Sequence, residues 1–466
     1  MNARTVGTVL ILEGLASAGL QMLMIRQVQG YVGSSVLVTS IVISVFLAAL
    51  ATGWYVGGKS KKAQFQDLLS RNLVISIGLF GIGLSYPVVD VVFSSLDSIT
   101  KGIPFIDHVL FHLFIFSCLF LFPLVFVLGQ TVPLLLHTAR SETSKSESAG
   151  NLTALSTIGN VFGGLITALI LMTLFGVGAS IVVNVLILLA ALFFVIDLNK
   201  RSHLASFGLA SAFLAVSLIL NVIIERELFD ATTPYGNVKV VEYEEGRAML
   251  VNNQYASYYD KNQNAWPYIE IMRSALIETK SDKNVLVLGA GGYTLSATPE
   301  MDRHRFTYVD IDASLKEIAE TRLLLNGSVV GETITEDARA YLLTRERMFD
   351  VIVVDLFSSS VMIPAHTATL EFFSLVRSRL NKDGFVMINI AANPMLEDEY
   401  SARIDKTVRS AFDRCVTDIT RFRDGLESLV YFCRGKSLDP VSAYRDDKEA
   451  ISIDAFMLAK SKKEER

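Results

Sequence analysis

Three aspartates, Asp310, Asp337 and Asp355, lie at or just beyond the ends of predicted strands. In a parallel sheet flanked by helices, the carboxyl ends of the strands meet at one edge, and ligands bind there. An amine must lose its proton before it can attack another molecule, and a carboxylate can both attract the cation and accept that proton. A lone aspartate after a strand is often only a helix cap. Three of them around one glycine turn favour a shared site.

The glycine turn follows an apolar run, Asn284–Leu288, that predicts a buried parallel strand. Gly289, Gly291 and Gly292 come next, and a second predicted strand, 306–309, ends on Asp310. Glycines let the backbone approach a ligand, and an acid about 20 residues further on can hold ribose hydroxyls. The Gly-x-Gly-Gly spacing argues against NAD and for the nucleoside pocket of adenosylmethionine-type enzymes. We predict that Asp310 contacts the ribose, Asp337 with Ala338 contacts the adenine, and Asp355 faces the reacting atoms.

Strands and helices alternate through the second half of the chain, which predicts a parallel sheet with helices on both faces. A β-hairpin is predicted at its start, with strands 237–242 and 247–251 around Glu244, Glu245 and Gly246. The further predicted elements are helix 266–278, a helix ending near 322, strand 332–335, helix 338–343, strand 351–354, helix 367–380, strand 385–390, helix 397–412 and a final strand pair.

The first half is dominated by apolar blocks, each near the roughly 20 residues that a helix needs to cross a bilayer. The seven predicted spans are 5–25, 36–56, 73–93, 108–128, 152–175, 180–196 and 204–224. Pro123 predicts a kink or an interfacial continuation in the fourth span. Seven glycines suit close helix packing in lipid, namely Gly14, Gly19, Gly53, Gly57, Gly58, Gly163 and Gly164.

Polar residues inside predicted spans point to function by default, and here they are Glu13, Gln21, His108, His112, Asn160 and Asn184. A transport path is one interpretation, and hydrogen bonding between helices is the more ordinary one. Glu13 is the residue that a transport hypothesis would test first.

The positive charges between spans are unevenly placed. One face of the predicted bundle carries Arg4, Lys59, Lys61, Lys62, Arg71, Arg140, Lys145, Lys200 and Arg201, and the other has only Arg26 and Lys101. The positive-inside rule therefore puts the amino terminus in the cytoplasm. Seven crossings would deliver the second half outside, whereas an enzyme that uses a cytosolic nucleoside should be inside. We predict a multi-pass protein of the cell (inner) membrane and leave the side of the second half open.

The net charge and the cysteines limit the partners and cofactors of the protein. The formal net charge of -5 and the lack of a basic stripe argue against a nucleic-acid partner. Three cysteines show no metal-ligand spacing, so we predict no metal. Cys415 and Cys433 lie symmetrically about Asp424 and Gly425 and could face each other across a strand pair. Free buried thiols are the default interpretation, and a disulfide would indicate an oxidising compartment.

The second half resembles the spermidine synthase (polyamine aminopropyltransferase) family over nearly its whole length. The residues that carry the resemblance are Tyr235 and Gly236, 268–270, 285–292, 308–312, 336–338, Tyr341 and Leu342, 351–355 and 369–373. The first half, with 127–133, Ala149 and Gly150, and 159–164, resembles the spans fused to such domains in bacterial membrane-bound members. The resemblance implies a β-hairpin region followed by a Rossmann-like core. It also implies transfer of an aminopropyl group from decarboxylated S-adenosylmethionine to an amine such as putrescine, giving spermidine and methylthioadenosine.

By this resemblance Asp355 is the catalytic proton acceptor. The residues expected at the donor are Gly289, Gly291, Gly292, Asp310, Asp312, Asp337 and Ala338. The residues expected at the amine are Gln254, Tyr268, Glu270, Ser358 and His366.

The chain departs from the family pattern at four places. The glycine loop is one residue shorter and has Gly292 and Tyr293 where the family has an acid that binds the donor amine. Ser358 replaces a second acid after the catalytic one, Gln254 is out of register, and Ile269 stands for a histidine. Each buried ammonium needs a paired charge. The departures therefore bear on the amine acceptor and leave the nucleoside pocket intact.

The predicted fold class is an α-helical transmembrane bundle of about seven spans followed by an α/β Rossmann-like transferase domain. The predicted domains are a multi-span unit at 1–226, a catalytic domain at 227–436 and a polar tail at 437–466. The expected partners are the lipid bilayer and a small-molecule amine, with a homodimer as one possible assembly. Two alternatives stay open: an S-adenosylmethionine-dependent methyltransferase, and a non-catalytic membrane transporter or sensor that binds a nucleoside or polyamine.

Overall fold

The computed structural model describes residues 1–33, 35–61, 64–103, 108–138, 145–324, 329–356, 363–412, 414–420 and 426–434. The chain divides into two compact units, Met1–Pro234 and Tyr235–Arg466.

The first unit is helical. Its elements are α1 Ala3–Val32, α2 Val36–Gly57, α3 Phe65–Gly83, α4 Tyr86–Thr100, α5 Val109–Phe116, α6 Phe122–Gly129, α7 Thr131–Leu135, α8 Lys145–Ile166, α9 Met172–Val195, α10 Arg201–Leu218, α11 Ile224–Leu228 and the short strand β1 Ala231–Thr232. Single π-helical turns, Ser117–Leu121, Thr167–Leu171 and Ile219–Ile223, join α5 to α6, α8 to α9 and α10 to α11.

Within the described residues, five helical segments are long and apolar enough to cross a membrane. They are Ala3–Val32, Val36–Gly57, Val109–Thr138, Ser146–Val195 and Arg201–Leu228. The pair α3 and α4, bent by 72°, makes a sixth if it is taken as one span. The 50-residue segment Ser146–Val195 is interrupted at Gly176, whose φ of 80° and ψ of 178° are not helical.

The predicted span 73–93 is wrong as a continuous helix. Helix α3 begins earlier, at Phe65, and ends at Gly83, and α4 starts at Tyr86 in a new direction. Pro87 lies in the first turn of α4. Because proline lacks the N–H that a helix interior needs, a helix tends to restart at such a residue. Pro123 lies in the first turn of α6, directly after the π turn Ser117–Leu121, within the apolar helical segment Val109–Thr138.

Several of the polar residues inside the predicted spans bond to neighbouring groups. His112 Nε2 lies 2.7 Å from the hydroxyl of Thr100, and His108 accepts from the Leu110 N–H as a cap of α5. Asn184 donates to the Ser180 carbonyl at 2.9 Å. The glycines Gly14, Gly53 and Gly163 face the backbone of a neighbouring helix so closely that a Cβ would not fit. These contacts favour a packing role, as tight glycine interfaces do in lipid.

The second unit contains an antiparallel strand set and a larger sheet. The first set is β2 Asn237–Glu242, β3 Gly246–Val251 and β4 Gln254–Asp260. The larger sheet has the order β10-β11-β9-β8-β5-β6-β7. Its strands are β5 Asn284–Leu288, β6 Arg305–Asp310, β7 Glu332–Thr335, β8 Phe349–Val354, β9 Leu380–Ala392, β10 Arg414–Ile419 and β11 Glu427–Arg434. The helices are α12 Pro267–Ile277, α13 Ser314–Ile318, α14 Ala338–Thr344, α15 Leu370–Ser378 and α16 Glu399–Ala411.

Two features of this unit differ from the expectation. The sheet is mixed, because β11 runs antiparallel to both β9 and β10, whereas β5 to β9 are parallel. Residues 254–260 form β4, a strand that is not among the predicted elements. The predicted Asn284–Leu288 and 332–335 strands agree with the structure residue for residue.

The default interpretation of Cys415 and Cys433 as free thiols is wrong. The two residues are direct partners across the β10–β11 ladder and are joined as a disulfide. Their Cα atoms lie 4.2 Å apart, because residues directly opposite in an antiparallel pair approach closely.

Candidate active site

The glycine turn links β5 to the ends of both neighbouring strands. Gly289 N–H donates to the Val309 carbonyl of β6, and Asp355 N–H donates to the Leu288 carbonyl, each at 2.9 Å. Gly289 has a φ of 89°, and a Cβ there would collide with the Asp355 carbonyl oxygen. Only glycine combines that backbone angle with such a close approach at low cost.

Asp310 is held beneath the turn by backbone donors. Its Oδ2 accepts from the Ala290 N–H at 2.8 Å, and its Oδ1 accepts from the Asp312 N–H at 2.9 Å. Burial raises the pKa of this carboxyl, and the backbone hydrogen bonds counteract the rise by favouring the charged form. Each carboxylate oxygen has a second lone pair. Asp310 can therefore accept from vicinal hydroxyls while it supports the turn.

Asp337 and Asp312 lie at the same edge of the sheet. The Glu336 N–H donates to the Asp310 carbonyl at 3.0 Å, which brings the start of α14 beside β6. Asp337 caps α14 through its Oδ1, which accepts from the Ala340 N–H. Asp312 accepts from the N–H and the hydroxyl of Ser314. Burial, followed by the charges of Asp312 and Asp337, raises the pKa of the Tyr235 phenol.

Asp355 lies directly after β8, on the other side of the turn from Asp310. Its Oδ2 accepts from the Tyr268 hydroxyl at 3.0 Å, and its Oδ1 accepts from the Asn389 amide at 2.8 Å. Burial raises the pKa of Asp355, and these two hydrogen bonds oppose the rise. A carboxylate with a raised pKa is better matched to accepting a proton near neutral pH.

A cavity joins Asp355 to the glycine turn. It is lined by Ser257, Tyr268, Ile269, Val287, Gly289, Ala290, Gly291, Thr294, Leu295, Tyr308, Val353 and Asp355. Asp355 is the one carboxylate among these described lining residues. Residues 357–362, which follow it in the sequence and lie outside the described residues, are Phe, three serines, Val and Met. The described lining therefore mixes apolar side chains and hydroxyl groups around a single carboxylate.

Sequence reasoning missed Asn389 and Ser257. Asn389 is buried in β9 and its amide oxygen has no hydrogen-bond partner among the described residues. Ser257, on β4, accepts from the Gly292 N–H at 2.8 Å. Both depend on strands far away in the chain, and no local pattern marks either one.

Several predicted amine contacts lie elsewhere or outside the described residues. Glu270 accepts from the guanidinium of Arg273 at 2.7 Å and from the Ala265 N–H. His366 lies 3.2 Å from Asp337 rather than beside Asp355. Gln254 opens β4, opposite Val251, and does not line the cavity. Ser358 lies outside the described residues.

Comparisons with known proteins find similarity to polyamine aminopropyltransferases in the second unit. Residues 268–440 match the spermine/spermidine synthase domain model. Polyamine aminopropyltransferase 2 of Pseudomonas aeruginosa is 25% identical over 200 residues, which is 41% of this chain and 57% of that protein. Polyamine aminopropyltransferase of Oceanobacillus iheyensis is 31% identical over 150 residues, which is 30% of this chain and 29% of that protein. The chain thus spans less than two thirds of these two relatives.

A longer alignment exists with polyamine aminopropyltransferase 1 of Streptomyces coelicolor. It is 24% identical over 469 residues and covers 92% of this chain and 83% of that protein, so it includes the helical unit. Among solved structures, a probable spermidine synthase from Corynebacterium glutamicum is 19% identical, with a TM-score of 0.37, over 47% of this chain and 84% of that one.

Proposed function

We propose that the chain is a membrane-anchored aminopropyltransferase, because residues 268–440 match the spermine/spermidine synthase domain model. It would transfer an aminopropyl group from decarboxylated S-adenosylmethionine to an amine such as putrescine. The observation that carries the proposal is Asp355, which lies in one cavity with the glycine turn and receives two hydrogen bonds.

The proposed chemistry uses Asp355 as a base. The acceptor amine is an ammonium in water, so it must give up a proton to expose its lone pair. Asp355 takes that proton, the amine nitrogen attacks the carbon next to the donor sulfonium, and the carbon–sulfur bond breaks. The electron pair of that bond stays on sulfur, and neutral methylthioadenosine leaves. Tyr268 and Asn389 hold the carboxylate in position.

The donor is proposed to lie along the glycine turn. Gly289 and Gly291 bring the backbone close to it, Asp310 accepts from the ribose hydroxyls, and Asp337 with Ala338 contacts the adenine, with Asp312 beside them. Gly292 packs against Leu323 and Ser257 with no room for a side chain. An acid cannot be accommodated at that position without rearrangement. The donor amine therefore lacks the family's usual carboxylate, and Asp355 supplies the charge at the reacting end.

The helical unit is proposed to anchor the enzyme in the cell membrane with the bilayer as its partner. The proposed crossings are seven: α1, α2, α3, the segment α5–α7, the helical segment before Gly176, the helical segment after Gly176, and α10–α11. A homodimer is the proposed assembly, and the net charge of -5 argues against a nucleic-acid partner.

The test uses the full-length protein in detergent with decarboxylated S-adenosylmethionine and a panel of monoamines and diamines. Methylthioadenosine formation that depends on the amine supports the proposal. With S-adenosylmethionine as donor, formation of S-adenosylhomocysteine instead would show a methyltransferase. Asp355→Asn should abolish transfer and leave donor binding in calorimetry nearly unchanged. If neither donor binds, the enzymatic proposal fails.

A further inference from the structure

We propose that the second unit works on the non-cytoplasmic, oxidising side of the membrane. The proposal rests on the membrane anchoring proposed above, but not on the identity of the reaction. Two observations carry it independently: the face on which the chain leaves the helical unit, and the disulfide in the second unit.

Contacts between helix ends define one face of the helical unit, here called the basic face. The Gln66 amide donates to the Val195 carbonyl at 2.6 Å, and His203 Nε2 lies 2.8 Å from Asp67. Ser60 Oγ, just after α2, lies 3.0 Å from Nε2 of His137, which follows α7 at the end of the α5–α7 segment. The α2–α3 link, the end of α9, the start of α10 and the end of the α5–α7 segment therefore share this face.

A second set of contacts defines the opposite face, here called the exit face. Arg26, near the end of α1, donates to the Thr233 carbonyl at 2.6 Å. The Gln27 amide donates to the Leu84 carbonyl, at the bend between α3 and α4, at 2.8 Å. The Val177 N–H, beside the Gly176 break, donates to the Thr232 hydroxyl at 3.3 Å. Residues 232–234 are the last of the helical unit, so the chain leaves it on this face.

The described basic residues are concentrated on the basic face. Arg4 lies in the first turn of α1, and because α1 ends on the exit face, Arg4 lies at the basic face. Further basic residues at or near the basic face are Lys59, Lys61, Arg71, Lys200 and Arg201. The helix ends at the exit face carry Arg26, Lys101 and Arg226. Lysine and arginine in short loops stay on the cytoplasmic side. The basic face is therefore cytoplasmic, and the chain continues from Pro234 into the second unit on the other side.

The disulfide leads to the same side by different chemistry. Cys415 and Cys433 are bonded across β10 and β11, and Cys433 is fully buried. Disulfides persist in oxidising compartments, whereas the cytosolic thiol pool keeps such pairs reduced. The distribution of basic residues in the helical unit and the disulfide in the second unit thus both indicate that the second unit lies on the non-cytoplasmic side. An enzyme on this side requires an amine and an adenosyl donor outside the cytoplasm, so a transport step must precede the reaction.

The experiment is cysteine labelling of the full chain in spheroplasts. On a Cys118→Ser background, two exposed lysines are replaced separately, Lys261→Cys in the second unit and Lys61→Cys on the basic face. A membrane-impermeant maleimide should label Lys261→Cys in intact spheroplasts and Lys61→Cys only after permeabilisation. Any other pattern in intact spheroplasts overturns the proposal. Labelling of both positions after permeabilisation verifies that each introduced thiol is accessible.

A second measurement examines the disulfide in the native sequence. Cells are quenched in acid, and thiols are trapped before and after reduction. Cys415 and Cys433 should react only after reduction, and free thiols at both positions would overturn the proposal. Asp355→Asn should give the same labelling pattern as the unsubstituted chain. A failure of the transferase assay therefore leaves this test intact, and a failure of this test leaves the assay intact.

Discussion

Replacing Tyr268 by phenylalanine should change the pH dependence of transfer more than the affinity for the amine. Asp355 accepts one hydrogen bond from Tyr268 and one from Asn389, and both stabilise the ionised carboxylate against burial, which raises its pKa. Tyr268→Phe removes one of the two donors while keeping the ring. A hydrogen bond to a charged group contributes about 1.5–3 kcal/mol, so the free energy of ionising Asp355 should rise by that amount.

The sign follows from the role of the carboxylate. As the proposed base, Asp355 is active only when it is ionised, so kcat/KM should increase as pH rises through its pKa. Raising that pKa further moves the acidic limb to higher pH. On that limb, at a fixed pH, kcat/KM should fall by about 10- to 100-fold. At pH well above the limb the variant should approach the unsubstituted enzyme.

The assay is methylthioadenosine release by the full-length protein across the pH range at several amine concentrations. Tyr400→Phe is a matched control, because Tyr400 is buried and its hydroxyl has no hydrogen-bond partner among the described residues. It should leave the acidic limb in place. An unshifted limb in Tyr268→Phe together with a raised KM for the amine would refute the reasoning, since Tyr268 would then bind substrate rather than support Asp355.

Three further substitutions test other parts of the site. Asn389→Leu removes the second donor to Asp355 and should shift the acidic limb in the same direction in the same assay. Gly289→Ala should abolish donor binding in calorimetry and cost about 1–3 kcal/mol of backbone strain, whereas Gly150→Ala, in open space on α8, should leave binding unchanged. Arg273→Met leaves buried carbonyls unpaired and should lower the free energy of unfolding by about 1–3 kcal/mol, measured by denaturant titration.

The arrangement of the glycine turn and Asp310 could be predicted from the sequence because its signals are local. The strand Asn284–Leu288, the glycines after it and Asp310 lie within 27 consecutive residues (284 to 310), and strand hydrogen bonds bring them together. The periodicity of an apolar strand and the positive φ of a glycine turn are properties of short segments. Asp355 belongs to the same pattern, because a parallel neighbour of β5 must end at the same edge.

The side-chain contacts of Asp355 and of the glycine turn with other strands could not be predicted in the same way. Asn389 reaches Asp355 only because β9 lies beside β8, and Ser257 reaches the glycine turn only through β4, a strand that sequence reasoning did not assign. Glu270 sits on the predicted helix, yet its carboxylate bonds with Arg273 three residues later. Such competition between side chains depends on three-dimensional packing, which a pattern of residue types does not encode.

In the helical unit, a proline in the sequence marked a break that the apolar pattern around it concealed. Apolar residues continue across 73–93, and this continuity predicted one span. Pro87 interrupts the backbone hydrogen bonding there, and the chain turns by 72°. Because α4 starts and packs on the exit face, with Tyr31 bonding to Asp90 at 2.8 Å, the bend does not add a crossing. The proposed number of crossings therefore stays odd, and the proposed position of the second unit on the non-cytoplasmic side depends on that parity.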